Sequence, residues 1–189
     1  MTAKAPEIVK PARLFLIASW LLLAAGCATE QAVEKKTGRV TPTIAMTGAS
    51  GDMNKYIGTW TSNCGKTYKA TSSGGTALTS GINSFSFTSV SGSAVEGTLA
   101  IDSHETPDCS GPSSRTSAKI TMSYVGNITV RSSLGESTLF TGTADKVSAT
   151  AASGGGNAFN IGFFEGFNRF QLAPLDNFST TNLVYTKKQ

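Results

Sequence analysis

The sequence predicts an all-β fold, a single antiparallel β-barrel or β-sandwich of about 8–10 short strands, preceded by a signal peptide and a flexible tether. Apolar and polar residues alternate with period two beyond residue 55, clusters of Gly, Ser, Asn and Asp separate the alternating segments, and helical patterns are nearly absent. We therefore divide the 189 residues into a signal peptide (1–26), an N-terminal linker (27–54) and an all-β domain (55–189).

The clearest strand patterns lie in the middle of the chain. Val95, Gly97, Leu99 and Ile101 alternate with polar or small residues, and the segment 118–124 repeats the pattern. Such alternation is typical of strands with one buried face. We favour a barrel over a sandwich because closure removes the edge strands that a chain of this composition must otherwise protect. The aromatic residues of segment 159–172 are expected to fill the core or, alternatively, to line a cavity.

The first 26 residues have the organisation of a signal peptide. Lys4, Lys10 and Arg13 precede an apolar segment, residues 14–25, that ends in small residues. A membrane-spanning helix needs about 20 apolar residues, so this segment is too short to cross a bilayer. A basic start followed by a short apolar run and small residues is the pattern of a cleaved export signal.

The residues at the end of this segment, Ala24-Ala25-Gly26-Cys27, resemble the lipobox of bacterial lipoproteins. The resemblance implies cleavage before Cys27, a thioether-linked diacylglycerol on its sulfur and a third acyl chain on its amino group. Two or three acyl chains give stable anchoring to a lipid bilayer. Ala28, a residue other than Asp after the cysteine, implies the periplasmic face of the outer membrane. The alternative is an ordinary signal peptide followed by an unrelated cysteine.

With Cys27 assigned to lipid, Cys64 and Cys109 remain as a pair in an oxidising compartment. We predict a disulfide between them, with two buried free thiols as the alternative. Two cysteines and one distant histidine do not make a zinc ligand set, so no metal is expected.

The charge of the chain gives no indication of a nucleic-acid partner. Residues 1–26 hold three of the 16 basic residues and one of the 12 acidic residues, which leaves 13 basic and 11 acidic residues after cleavage. The remaining lysines and arginines are scattered singly rather than clustered with aromatic residues. We expect no nucleic-acid partner and no cofactor.

One segment has residues that would suit chemistry. His104, the only histidine, lies close to Asp102, Glu105 and Asp108. The hypotheses are a solvated surface loop, a carboxylate-rich cation site, or an acid–base pair. We favour the loop because Pro107 and the following polar run are typical of loops. Catalytic motifs such as G-x-S-x-G, H-E-x-x-H and the P-loop do not occur, so an enzyme is not expected.

Gly58-Thr59-Trp60 resembles the G-x-W motif on the first strand of lipocalins and related calycin barrels. The resemblance implies a tryptophan at the closed end of a barrel, an arginine covering it, for which Arg169 is the candidate, and a small apolar ligand. Alternatively, Trp60 is simply a core aromatic residue. The sequence thus favours a membrane-anchored lipoprotein with a non-enzymatic binding or interaction domain. The alternatives are a structural or assembly protein of the envelope with a filled core and, less favoured, an enzyme using His104.

Overall fold

A computed structural model describes residues 41–70, 76–174 and 176–189, with the side chains of residues 68–70 left out. Within this part of the chain, the secondary structure consists of twelve β-strands and one 3₁₀ turn, which confirms the predicted all-β fold. The predicted signal peptide and Cys27 lie outside the described residues.

In chain order, the strands are β1 (Thr43–Met46), β2 (Gly58–Ser62), β3 (Gly65–Ala70), β4 (Thr76–Ser91), β5 (Ala94–His104), β6 (Ser113–Thr129), β7 (Arg131–Ser132), β8 (Leu139–Ala151), β9 (Gly156–Phe164), β10 (Arg169–Ala173), β11 (Asn177–Phe178) and β12 (Val184–Lys187). The 3₁₀ turn, Met53–Tyr56, precedes β2. Strands β4 and β6, with 16 and 17 residues, are longer than the short strands that the sequence predicts.

Eight strands form a closed barrel. Strands β2, β4, β5, β6, β8, β9, β10 and β12 each pair antiparallel with the next in this order, and β12 also pairs with β2. Neighbours in the ring follow one another in sequence, which is the up-and-down arrangement. The strand pairings therefore form a barrel and not a sandwich, the other predicted architecture.

The register of the strands places the largest side chains on the inner face of this ring. Trp60 lies opposite Phe85, Phe163 lies opposite Phe170, and Phe170 also lies opposite Tyr185. Because side chains alternate between the two faces of a strand, one such pair fixes the orientation of its neighbours. The alternation predicted from the sequence in β5 and β6 accordingly becomes the alternation of inner and outer positions.

The folded domain begins earlier than residue 55, the boundary that the sequence suggested. Strand β1 pairs in parallel with β8, and Thr47 and Phe163 then exchange two main-chain hydrogen bonds of 2.9 Å. The chain next enters one end of the barrel, where Met53 and Tyr56 are almost completely buried. This segment lacks an apolar period because it is held by main-chain pairing and a few buried side chains rather than by one continuous apolar face.

A second, smaller core lies outside the barrel. It packs residues of β1, β8 and β11 against the outer face of β9 and β10, and its buried members are Met46, Val130, Phe140, Ala144, Ala173 and Phe178. Gly162 makes this close packing possible, since a Cβ atom at that position would lie 2.6 Å from the Met46 sulfur. The N-terminal strand is thus bound to the barrel by side-chain packing as well as by main-chain hydrogen bonds.

Cys64 and Cys109 form a disulfide, as the sequence predicts, with their Cα atoms 5.9 Å apart. The bond ties the connection between β2 and β3 to the loop between β5 and β6. In the same loop, the main-chain N–H of Cys109 donates to Ser80 Oγ at 2.9 Å, and Ser80 Oγ donates to the Thr106 carbonyl at 2.6 Å. The disulfide therefore fastens a loop that already has hydrogen bonds to β4.

Replacing both disulfide cysteines by serine (Cys64→Ser with Cys109→Ser) is expected to lower the free energy of unfolding by about 4 kcal/mol, because the unfolded chain regains the conformational freedom of a 45-position loop. Urea unfolding followed by tryptophan fluorescence measures the change. Wild-type protein in reductant should behave like the double variant. Equal stability of the oxidised wild type and the double variant would contradict this assignment.

Candidate functional site in the barrel interior

The barrel interior is filled by aromatic side chains. The Trp60 and Phe170 ring centroids are 4.8 Å apart, as are those of Phe170 and Tyr185, while the Tyr56 and Phe163 centroids are 5.0 Å apart. These distances fall within the range of favourable aromatic contacts. The buried members of this core are Ala49, Met53, Tyr56, Trp60, Phe85, Phe87, Val95, Ile120, Met122, Val147, Phe159, Ile161, Phe163, Phe170 and Tyr185.

Of the aromatic residues predicted either to fill the core or to line a cavity, Phe159, Phe163 and Phe170 fill the barrel core. Two depressions among the described residues are open and lie on the outer side of the barrel. One runs over mostly polar residues of β5, β6 and β8, and the other lies between β1 and β10. A site for a small apolar ligand normally encloses most of the ligand surface, and neither depression does so.

A buried carboxylate holds the N-terminal segment in the end of the barrel. Asp145 on β8 is fully buried and accepts hydrogen bonds from the Tyr56 hydroxyl at 2.6 Å, the Ala49 N–H at 2.9 Å and the Ser50 N–H at 3.0 Å. A buried carboxylate is costly unless such donors compensate its lost hydration. Gly48 leaves room for this arrangement, because a Cβ atom there would lie 2.4 Å from Asp145 Oδ1.

The G-x-W residues lie at this same end, which is the closed end of the barrel because the buried 3₁₀ turn, Met53–Tyr56, covers it. Trp60 is fully buried, and its Nε1 donates to the Tyr56 carbonyl at 2.7 Å. Gly58 has φ +125°, a conformation that side chains disfavour, and a Cβ atom there would lie 2.9 Å from Lys187 Cε. Trp60 thus connects the 3₁₀ turn to the barrel wall, and Gly58 gives the last strand space to pack beside it.

The cation over Trp60 is Lys187 rather than Arg169, which corrects the expectation from the resemblance. Lys187 pairs directly with Trp60 in the β2–β12 register, and its Nζ lies 5.2 Å from the Trp60 ring centroid. Arg169 instead bonds to Glu165 at 2.7 Å and lies over the Phe164 ring. Sequence reasoning missed Lys187 because it belongs to a charged chain end that resembles a solvated terminus.

Burial raises the pKa values of two tyrosines in the barrel, Tyr56 and Tyr185. Burial raises the pKa of the Tyr56 phenol well above its usual value, and the neighbouring Asp145 raises it further through its charge and its hydrogen bond. Burial also raises the pKa of Tyr185, against the opposing effect of a hydrogen bond from Asn83. Both phenols stay neutral at physiological pH and pack in the core, where the Tyr56 hydroxyl donates to Asp145 and the Tyr185 hydroxyl accepts from Asn83.

His104 does not lie in a solvated loop, as the sequence suggested. It is the last residue of β5 and only 8% exposed, because the following loop packs against the outer face of β4 and β5. Asp102 is 3.5 Å from Arg115, and Asp108 accepts hydrogen bonds from Ser110, whose hydroxyl lowers the Asp108 pKa. Among the described residues, no group of three His, Cys, Asp or Glu side chains is placed to hold a metal ion.

Comparisons with protein-family models, curated proteins and solved structures found no match to this chain. In the part of the chain that the structure describes, no helix combines the length and apolarity needed to cross a membrane. The calycin resemblance therefore rests on the G-x-W residues, and the anchoring role of Cys27 rests on the sequence around it.

Tyr56→Phe is expected to lower the free energy of unfolding by about 1–3 kcal/mol, because Asp145 keeps its burial but loses one of its donors. Urea unfolding at pH 7 provides the measurement. Tyr124→Phe serves as the matched control, since no hydrogen bond to Asp145 is removed. Equal losses for the two variants would argue against a special role of the Tyr56 hydroxyl.

Stability should also fall at alkaline pH. The Tyr56 pKa is higher in the folded than in the unfolded protein, so its contribution is complete below pH of about 10 and is lost as the pH rises toward the folded-state value. Unfolding free energies measured from pH 8 to 12 should decline less steeply for Tyr56→Phe than for the wild type. Parallel curves would contradict the direction assigned to Tyr56.

Proposed function

We propose that this chain is a lipoprotein of the bacterial envelope, anchored through acylated Cys27, whose barrel has a structural or assembly role and acts through its outer surface. The filled interior supports the proposed structural or assembly role. Of the non-enzymatic roles that the sequence suggested, binding of a small apolar ligand needs an empty apolar interior. The aromatic contacts around Phe170 occupy that space.

The anchor is supported by the sequence around Cys27 and by the disulfide. The basic start, the short apolar run and the small residues before Cys27 together fit export followed by lipidation. A disulfide between Cys64 and Cys109 fits an oxidising compartment outside the cytoplasm. Ala28 favours the outer membrane through the lipoprotein resemblance.

The surface around the start of the described chain is consistent with an anchor on that side. The Leu139 N–H donates to the Pro42 carbonyl at 2.8 Å, so β8 begins where the N-terminal segment joins the domain. Leu139 is 45% exposed, and Leu134, in the loop before it, is fully exposed. We infer that this end of the barrel lies nearer the bilayer, because the chain that leads back to Cys27 joins the domain here.

Cys27→Ser is expected to move the protein from the membrane fraction to the soluble periplasmic fraction, because it removes the sulfur that carries the acyl chains. Fractionation with immunoblotting measures the distribution, and mass spectrometry of the purified protein measures the acyl mass. Cys64→Ser is the matched control, since it removes a cysteine but leaves the lipobox intact, and it should stay with the membrane. Retention of the Cys27→Ser protein in carbonate-washed membranes would overturn the anchor assignment.

Native mass spectrometry of protein gently extracted from its own membrane is expected to show the acylated polypeptide without an additional small ligand. Phe170→Ala provides a positive control, because removing the ring leaves an apolar cavity of the type that binds small aromatic molecules. Indole binding, followed by isothermal titration calorimetry, should therefore appear in Phe170→Ala and be absent in the wild type. A stoichiometric apolar ligand in the wild type would overturn the filled-core role and favour a transport or storage role.

A further inference from the structure

One main-chain edge of β1 is not covered by any strand in the described part of the chain. The Pro42 carbonyl accepts from Leu139 of β8, and successive residues of a strand direct their main-chain groups to opposite sides, so the even-numbered residues of β1 face β8. The odd-numbered residues face the opposite side, where the N–H and C=O groups of Thr47 form hydrogen bonds with Phe163 of β9. The main-chain groups of Thr43 and Ala45 point to that same side.

This edge has no pairing strand because β9 turns away. Strand β9 ends at Phe164, and a turn that includes Glu165, Gly166 and Phe167 at positive φ carries the chain into β10. The β1–β9 ladder therefore stops after the Thr47–Phe163 bridge. Among the residues that the structure describes, none forms a main-chain hydrogen bond with the outward edge of Thr43 or Ala45, and both residues are exposed.

An open groove of about 440 Å³ runs along this edge. Ile44, Phe140 and Phe164 give it an apolar lining, and Thr180 and Val184 line it as well. Glu165 and Arg169 also line the groove, but they neutralise each other through their 2.7 Å ion pair. The lining thus matches an uncharged, partly apolar occupant.

A buried acceptor in the groove lining lacks a partner. Gln171 is 2% exposed, and its Nε2 donates to the Ser179 carbonyl at 2.8 Å and to the Asn182 carbonyl at 3.3 Å. These bonds fix the orientation of the side-chain amide, and Oε1 has no hydrogen-bond partner among the residues that the structure describes. An unpaired buried acceptor is destabilising, so a donor that paired with it would be stabilising.

The wall beside Gln171 is itself held in place. The Glu136 carboxylate accepts from the Thr180 N–H at 3.1 Å, from the Thr180 hydroxyl at 2.8 Å and from the Ser179 hydroxyl. These hydrogen bonds, outweighing the effect of partial burial, lower the pKa of Glu136. The carboxylate stays ionised, so the groove keeps its shape at neutral pH.

We propose that the free edge of β1 and this groove bind an extended, uncharged peptide segment of a partner protein by β-strand addition. The segment continues the ladder begun by Thr47 and Phe163, pairing with the outward main-chain groups of Thr43 and Ala45. Its inward side chains contact the apolar lining. Main-chain pairing provides affinity in this mode of recognition, and the lining provides specificity. The proposal deepens the surface-mediated role and rests on it.

The test uses full-length protein in detergent and a displayed library of uncharged nine-residue peptides that alternate Val, Ile or Phe with Ser, Thr or Asn. The tightest binder is synthesised with a fluorophore and titrated by fluorescence anisotropy. Ala45→Pro is expected to weaken its binding at least tenfold, because proline removes the N–H that faces the groove. Ala45→Ser, which keeps that N–H, should bind within twofold of the wild type, and both variants should unfold at the wild-type temperature.

A second series methylates the amide nitrogens of the peptide one at a time. Losses of affinity that alternate with period two support strand addition, because only every other amide faces the partner strand. Absence of any binder, equal binding to Ala45→Pro, or losses without alternation would overturn the proposal, as would a dimer in sedimentation velocity that Ala45→Pro abolishes. The Cys27→Ser protein should bind the peptide normally, so failure here is distinguishable from failure of the anchor or of the filled-core role.

Discussion

The hydrogen bonds received by the buried Asp145 carboxylate are the constraint on which the arrangement of this protein depends. They join β8 to the N-terminal segment through Tyr56, Ala49 and Ser50. Once Tyr56 is fixed, its carbonyl accepts from the Trp60 indole, and its ring packs against Phe163. Removing any one donor leaves the buried Asp145 side chain short of hydrogen-bond partners, and such sites are more costly to disturb than solvent-exposed ion pairs. Hydrogen bonds between polar groups therefore determine the structure of the closed end, whereas side-chain packing determines the structure of the interior above it.

Strand β8 explains why the barrel has an additional strand on its outside. It pairs with β6 along one side, while along the other it pairs with β9 over Asp145–Thr150 and with β1 over Leu139–Gly142. Because β8 extends beyond β9 at this end, its remaining edge needs a partner, and β1 supplies it. The second core then covers the junction, with Met46 packed over Gly162. Closure of the ring thus pairs each barrel strand on both sides over part of its length. Among the described residues, free edges remain on β1 and on β3, which pairs only with β4.

Period-two alternation was sufficient to predict the strands that line the interior, including Val95 on β5 and Met122 on β6, because a half-buried strand repeats its environment every second residue. The disulfide could be predicted from cysteine number and compartment alone. The burial of the segment around Met53 could not be predicted, because it results from contacts with strands that are distant in sequence and not from a local pattern. Lys187 was missed since only the register places it over Trp60, and His104 was misjudged because the loop that covers it has an ordinary solvated composition. An acidic residue at an inner position of an alternating strand, such as Asp145 two positions before Val147, is the signal that could have identified the closed end.

The two cores divide the aromatic segment between them, and this division bears on where the protein can bind anything. Along β9, Ile161 and Phe163 point inward and are fully buried, whereas Phe164 lies in the lining of the outer groove. The inward residues are committed to the aromatic core, which leaves no room for a ligand without a loss of packing. The outward residue lies next to main-chain groups of β1 that have no partner among the described residues. These groups gain free energy from an added strand and not from the barrel itself, so the free energy available for binding lies on the outer surface beside β1.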